Sequence, residues 1–147
     1  MTSSEQETRD LARTFAGRLR RGDVVALFGD LGTGKTRFVK GVCEAFGAER
    51  RVSSPSFVIL NRYKGRDNEG RELYLHHLDL YRVRSVEEIY DLGYEEFVYG
   101  DGITLIEWAE QLGDLLPQRR YSVRLEYGPV ETQRKVTIEL PAAARGI

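Results

Sequence analysis

The glycine-rich stretch at residues 29–36 is the feature that most limits how this chain can fold. Its sequence, GDLGTGKT, matches the spacing G-x-x-x-x-G-K-[ST] without a mismatch and directly follows the apolar run VVALF. Glycines permit φ > 0 and a close approach to a ligand, so successive N–H groups can point at phosphate oxygens. A strand before the stretch and a helix after it would aim the helix N-terminus at the same phosphates. The stretch, called here the glycine-rich loop, therefore predicts a strand–loop–helix unit that binds a nucleotide.

Two side chains at the end of the loop have the chemistry that such a site requires. Lys35 can reach the terminal phosphates, and the hydroxyl of Thr36 can ligate Mg²⁺, which usually takes one or two protein carboxylates as well. Two acids follow strand-like apolar runs, Asp79 in LHHLDLYR and Glu107 in LIEWAE. Ligand sites of open α/β sheets lie at such strand ends. We therefore expect at least one of these acids at the loop, and the pattern alone does not decide between them.

Apolar periodicity predicts alternating helices and strands along the rest of the chain. Ser4 and Glu7 stand at capping-box spacing and open the first helix. Polar turns separate the second strand from the third and the fifth from the sixth, which predicts two antiparallel hairpins. The predicted helices cover residues 4–23 and 36–47, one or two short helices lie within 85–102, and another ends near Pro117; the predicted strands cover 24–28, 57–63, 73–80, 103–108, 121–128 and 134–140.

These elements predict an α/β fold of the P-loop NTPase-like kind. It would be a three-layer sandwich around a mixed sheet, with a parallel centre and antiparallel hairpins. A length of 147 residues suits one domain. Residues 1–147 are therefore predicted to form a single P-loop domain, with a loose tail over 141–147.

Composition limits the setting in which such a domain would work. The formal net charge is −1, which provides no bulk attraction to nucleic acid or to a membrane surface. No apolar stretch approaches the roughly 20 residues of a membrane span. The polar N-terminus does not resemble a signal peptide, and Cys43 is the only cysteine. A cytoplasmic location, without membrane contact, is the expectation.

The chain resembles the TsaE (formerly YjeE) family, small bacterial P-loop ATPases needed for threonylcarbamoyladenosine modification of tRNA. The matching motifs are GDLGTGKT, VSSPSFVILNRY, HLDLYR and IEWAE, in that order, and the similarity covers nearly the whole chain. Ser56 stands where threonine is usual in the family, and Ala109 where proline is common. The resemblance implies ATP or ADP and Mg²⁺ as cofactors, weak hydrolysis, and two partner proteins, TsaD and TsaB, through which the chain would act on tRNA indirectly.

The resemblance also implies roles for individual residues. Lys35 and Asp79 would be catalytic, with Asp79 near the γ-phosphate, while Thr36 and Glu107 would bind Mg²⁺. Thr8 would lie at the adenine end of the nucleotide. Gly32, Thr33 and Gly34 would cradle the phosphates together with Lys35, and Thr36 is counted with them among the cofactor-binding residues. The basic Arg134 would lie near the nucleotide. The hydroxyls of Ser53, Ser54 and Ser56 would belong to a loop that responds to nucleotide state.

Two other function classes are weighed against an ATPase. A small-molecule kinase would need a second substrate pocket and usually an arginine-rich lid, and no clear lid segment is found in the sequence. A GTPase-like switch would need an Asn-Lys-x-Asp guanine reader, and the sequence has none. Trp108 is predicted to serve packing, with an anchoring role near the site as the alternative. His76 and His77 are predicted to be structural, and His77 matches the histidine of the family's HxDxYR motif.

Overall fold

A computed structural model describes residues 1–30, 32–48, 60–81, 83, 85–91, 93, 95 and 100–141. Within these ranges the strands are β1 (Val24–Phe28), β2 (Leu60–Arg66), β3 (Glu72–Asp79), β4 (Ile103–Glu107), β5 (Tyr121–Tyr127) and β6 (Arg134–Glu139). The helices are α1 (Glu5–Ala16), α2 (Lys35–Ala45), α3 (Val86–Asp91) and a 3₁₀ helix (Ala109–Leu115). Among these helices, none has both the length and the apolar character that crossing a bilayer requires.

The strands form one mixed sheet in the order β2-β3-β4-β1-β5-β6. β1 pairs in parallel with β4 and with β5, and β3 pairs in parallel with β4. β2–β3 and β5–β6 are antiparallel hairpins at the two edges. The predicted fold class, a parallel centre with antiparallel hairpins, is confirmed. Because β1, β3 and β4 run in the same direction, their carboxyl ends meet at one edge, where the glycine-rich loop begins.

Helical layers cover both faces of the sheet. One face packs against α1 and α2, whose apolar stripes bury residues that include Ala12, Phe15, Ala16, Phe38, Val39 and Val42. The opposite face packs against the 3₁₀ helix and the segment after β3, through Leu80, Val83, Ala109 and Leu112. α1 and α2 approach closely at Gly41, where a Cβ would lie 2.5 Å from the Arg9 carbonyl oxygen. Glycine is therefore required for this helix contact.

The first helix is shorter than its apolar pattern predicts. Ser4 caps it as expected, accepting a hydrogen bond from the Glu7 amide at 3.1 Å, but α1 ends at Ala16 instead of continuing to residue 23. The helix ends at its C-cap Gly17, because glycine weakens a helix interior, and further along Gly22 has a left-handed φ of 87°. The chain turns back in this region, and the Asp23 side chain accepts from the Arg20 amide at 2.7 Å.

Two other boundaries differ from the prediction. β2 continues to Arg66, beyond the predicted end at Tyr63, because Asp67 closes a tight turn by accepting from the Glu69 and Arg71 amides at 2.9 Å each. The predicted strand residues 57–59 lie outside the described residues. The short helix before Pro117 is a 3₁₀ helix, interrupted at Gly113 by a positive φ of 51°.

We predict that the Cys43 thiol is unreactive in the folded protein. Cys43 lies on the buried face of α2 and packs in the hydrophobic core. Burial raises the pKa of its thiol to about 12, above an ordinary value of 9.0. Because the thiolate is the nucleophile, a shift of this size implies alkylation slower by about a thousandfold near neutral pH. The measurement is iodoacetamide labelling with and without denaturant. Equal labelling rates in the two conditions would contradict a buried thiol.

Candidate functional site

The glycine-rich loop connects β1 to α2 with a backbone that only glycine adopts easily. Gly29, Gly32 and Gly34 have φ values of 147°, 82° and 104°. A Cβ on Gly29 would lie 2.5 Å from the Leu125 carbonyl oxygen, so the loop packs directly against β5. Gly34 is the N-cap of α2 and provides no side-chain acceptor for the first amides of the helix. These amides are available to an anion, as helix N-termini commonly are.

Lys35 is buried at the start of α2, and its ammonium lies over an aromatic ring. Its Nζ donates to the Asp30 carbonyl oxygen at 3.1 Å and to that of Gly29, and it lies 3.9 Å from the centroid of the Trp108 ring. Burial lowers the pKa of Lys35, while the nearby Glu107 carboxylate opposes this shift. The ammonium is thus tied to the carbonyls of the same loop that would cradle phosphates.

Thr36 and Glu107 meet although 71 residues separate them in the sequence. The Thr36 hydroxyl donates toward both carboxylate oxygens of Glu107, at 3.0 and 3.1 Å. Glu107 is the last residue of the central strand β4, and its side chain is buried. A hydroxyl and a carboxylate side by side are the oxygen ligands that Mg²⁺ prefers.

Asp79 lies beside Glu107 in the neighbouring parallel strand, at the same level of the sheet. Its Oδ1 accepts a hydrogen bond from the Tyr81 amide at 3.1 Å. Burial raises the pKa of Asp79, and the negative charge of Glu107 raises it further. A cavity of about 390 Å³ is lined by Lys35, Thr36, Asp79, Glu107 and Trp108, together with loop glycines. The predicted phosphate, metal and acidic residues are therefore brought together in one place.

A second cavity, of about 500 Å³, is also lined by the glycine-rich loop. Both cavities include Gly32 and Gly34 in their walls, so they adjoin each other across the loop. The second is also lined by Thr8 from α1 and by Arg134 at the start of β6. Thr8 is buried, and its hydroxyl lies 2.8 Å from that of Thr2. This cavity therefore holds Thr8, which the resemblance places at the adenine end, and Arg134, which it places near the nucleotide.

Arg134 is directed at the backbone of the glycine-rich loop. Its Nε donates to the Thr33 carbonyl oxygen at 3.2 Å and its Nη1 to that of Gln133 at 2.8 Å. The guanidinium carbon lies 4.7 Å from the centroid of the Tyr127 ring. Arg134 lies beside the predicted nucleotide cavity, where its bond to the Thr33 carbonyl oxygen stabilises the glycine-rich loop.

Two residues at this site make polar or ring contacts that their sequence positions do not predict. Trp108 is predicted to serve packing, with an anchoring role near the site as the alternative, and its ring lies under the Lys35 ammonium. His77 is buried as predicted, but its Nε2 lies 2.5 Å from Oε2 of Glu107. The signal for His77 was its place on the β3 face shared with Leu75 and Asp79, since residues two apart in a strand share a face. Ser53, Ser54 and Ser56 lie outside the described residues, so the loop that responds to nucleotide state stays a prediction.

Comparison with known proteins gives consistent matches along the chain. The TsaE family model, described as threonylcarbamoyl adenosine biosynthesis protein TsaE, matches residues 2–136. The curated tRNA threonylcarbamoyladenosine biosynthesis protein TsaE of Bacillus subtilis is 39% identical over 136 residues, which cover 92% of this chain and 81% of the relative. Its namesake in Treponema pallidum is 38% identical over 141 residues, covering 94% and 99%.

A solved structure supports the same relationship. The crystal structure of Bacillus subtilis YdiB superposes with a TM-score of 0.75 and 32% sequence identity, covering 97% of this chain and 84% of that chain. The family match includes the glycine-rich loop and the residues that line both cavities. The chain therefore belongs to the TsaE family of threonylcarbamoyl adenosine biosynthesis proteins.

Proposed function

We propose that this chain is a Mg²⁺-dependent ATPase that works in threonylcarbamoyladenosine biosynthesis on tRNA, together with TsaD and TsaB. The observation that carries the ATPase proposal is the contact of Thr36, the last residue of the glycine-rich loop, with Glu107. The biosynthetic role is supported by the family and by the names of the curated relatives. The two partners come from the family resemblance alone.

The chain's own groups account for nucleotide binding. The phosphates would lie against the loop amides and the N-terminus of α2, where the helix dipole favours negative charge. Lys35 would exchange its carbonyl partners for phosphate oxygens. The cavity beside Thr8 would take the base and ribose, since it adjoins the phosphate site across Gly32 and Gly34.

The residues at the other cavity fit hydrolysis. Thr36 and Glu107 would hold Mg²⁺, which neutralises charge on the transferred phosphoryl group when it is bound. Asp79 would orient the attacking water, and a carboxylate whose pKa is raised accepts a proton more readily than an ordinary one. Product analysis separates this proposal from a small-molecule kinase, because an ATPase releases ADP and inorganic phosphate without a phosphorylated metabolite.

The test of the metal site uses the variants Thr36→Ala and Glu107→Gln. Each should weaken Mg²⁺-dependent binding of a non-hydrolysable ATP analogue by about tenfold or more, because each removes an oxygen ligand or its charge. Binding of ADP without metal should change much less. Isothermal titration calorimetry with and without Mg²⁺ is the measurement.

Asp79→Asn is the matched comparison for these variants. It should leave Mg²⁺-dependent affinity near the wild-type value and reduce hydrolysis. If Asp79→Asn removed the metal dependence and Glu107→Gln kept it, the assignment of the two acids would be reversed. If the wild-type protein bound no ATP, the proposed function would fail.

We also predict that tRNA binds weakly to this chain alone. A net charge of −1 provides little drive from counterion release, so the affinity should be low, and any binding through local basic side chains should weaken as salt rises. Fluorescence anisotropy with labelled tRNA across a salt series is the measurement. Tight binding at physiological salt, without partner proteins, would show that the chain contacts tRNA directly.

A further inference from the structure

A buried contact in the described part of the chain joins His77 to the predicted metal ligand Glu107. The His77 Nε2 lies 2.5 Å from Glu107 Oε2, and only 6% and 4% of the two side chains are exposed. The same carboxylate accepts from the Thr36 hydroxyl. Glu107 thus has two side-chain donors, one on β3 and one on α2.

The position of His77 on its strand argues against a purely structural role. Leu73, Leu75 and His77 share the β3 face that packs toward α2, and the two leucines belong to the core on that side. A leucine at position 77 would continue this core. The chain instead buries the imidazole of His77 two residues before Asp79, on the same strand face, where its Nε2 meets Glu107.

We propose that His77 is a positioning residue that holds the Glu107 carboxylate toward Thr36 for metal binding, a role that rests on the proposed function. Nε2–H donates to Oε2 of Glu107 and limits rotation of the carboxylate. Metal-ligating groups commonly depend on such supporting hydrogen bonds, and losing one typically costs 10- to 100-fold in metal affinity.

The other ring nitrogen makes a sharp test possible. Within the described residues, Nδ1 of His77 is buried and has no hydrogen-bond partner. Only the Nε2 donor should therefore matter. The amide nitrogen of glutamine can occupy nearly the position of Nε2, whereas that of asparagine corresponds to Nδ1. His77→Gln should preserve the function of the side chain, and His77→Asn should not.

The experiment compares the wild-type protein with His77→Gln, His77→Asn and His77→Leu. Calorimetry of ADP binding with and without Mg²⁺ gives the metal enhancement, and urea unfolding reports stability. We expect His77→Asn and His77→Leu to lose at least about tenfold of the Mg²⁺ enhancement, with metal-free ADP affinity nearly unchanged. His77→Gln should retain most of the enhancement, even where its stability resembles that of His77→Asn.

A readout without metal or nucleotide tests the hydrogen bond itself. In imidazole ¹⁵N–¹H spectra, the wild-type protein should show a slowly exchanging Nε2–H signal that disappears in His77→Gln and shifts in Glu107→Gln. The absence of that signal, or full Mg²⁺ enhancement in His77→Leu, would overturn the role of His77. Loss of enhancement in all three variants in proportion to their stability would also overturn it. If the wild-type protein shows no Mg²⁺ enhancement, the metal role of His77 fails together with the proposed function.

Discussion

Replacing Lys35 with alanine should remove most of the chain's affinity for ATP. The ammonium is the side-chain cation that the glycine-rich loop places at its centre, and it is buried where screening by water is weak. Loss of one charge-assisted hydrogen bond costs about 1.5–3 kcal/mol, and more in a dry site. We therefore expect affinity to fall by about tenfold to over a hundredfold. Calorimetric titration measures it directly.

Lys64→Ala is the matched control for this variant. Lys64 pairs with Glu72 in the edge hairpin, and both side chains are about half exposed, so its loss should change little. The emission of Trp108, the only tryptophan, offers a second readout because the Lys35 ammonium lies over its ring. Unchanged ATP affinity in Lys35→Ala would rule out the proposed phosphate site.

Gly41→Ala should destabilise the fold strongly for so small a change. Alanine normally favours a helix over glycine by about 1 kcal/mol. Here the new Cβ would lie 2.5 Å from the Arg9 carbonyl oxygen and 2.7 Å from the Cβ of Ala12, so α1 and α2 must move apart. Overpacking of this kind costs about 1–3 kcal/mol. Urea unfolding should show a lower midpoint.

Gly17→Ala makes the same chemical change at a less crowded position. Gly17 follows α1 with a right-handed φ of −61°, and its nearest contact would be 3.3 Å from the new Cβ. The free energy of unfolding of the Gly17→Ala variant should stay within about 1 kcal/mol of the wild-type value. Equal effects of the two substitutions would mean that the helix contact at Gly41 adapts without cost.

Local patterns in the sequence were sufficient to predict most of the helices and strands of the fold. The strand before the glycine-rich loop, the Ser4 cap and both hairpins follow from residue spacing and turn chemistry, which act over a few positions. Helix and strand ends were less predictable. The true end of β2 depends on Asp67, whose carboxylate accepts from two amides of its own turn, and periodicity does not detect such a bond.

The site residues that belong to a sequence motif could be predicted, whereas the roles that depend on tertiary contacts could not. Lys35 and Thr36 belong to the motif, and Glu107 ends an apolar strand. Trp108, whose ring contacts Lys35, has a backbone φ of 58°, which bulky residues seldom adopt and which its sequence position does not predict. His77 is predicted only to be a buried strand residue, because the alternation of residues along a strand indicates burial. It does not indicate that the carboxylate of Glu107 lies opposite the imidazole.

The carbonyl contacts of Lys35 bear on how nucleotide affinity should be understood. A phosphate that recruits the ammonium must displace two backbone partners, so the measured binding energy is a difference between two sets of bonds. Arg134 acts in the opposite direction, because its bond to the Thr33 carbonyl shapes the loop before any ligand arrives and lowers the entropy lost on binding. Calorimetry should accordingly record a modest enthalpy for nucleotide binding relative to the number of contacts formed.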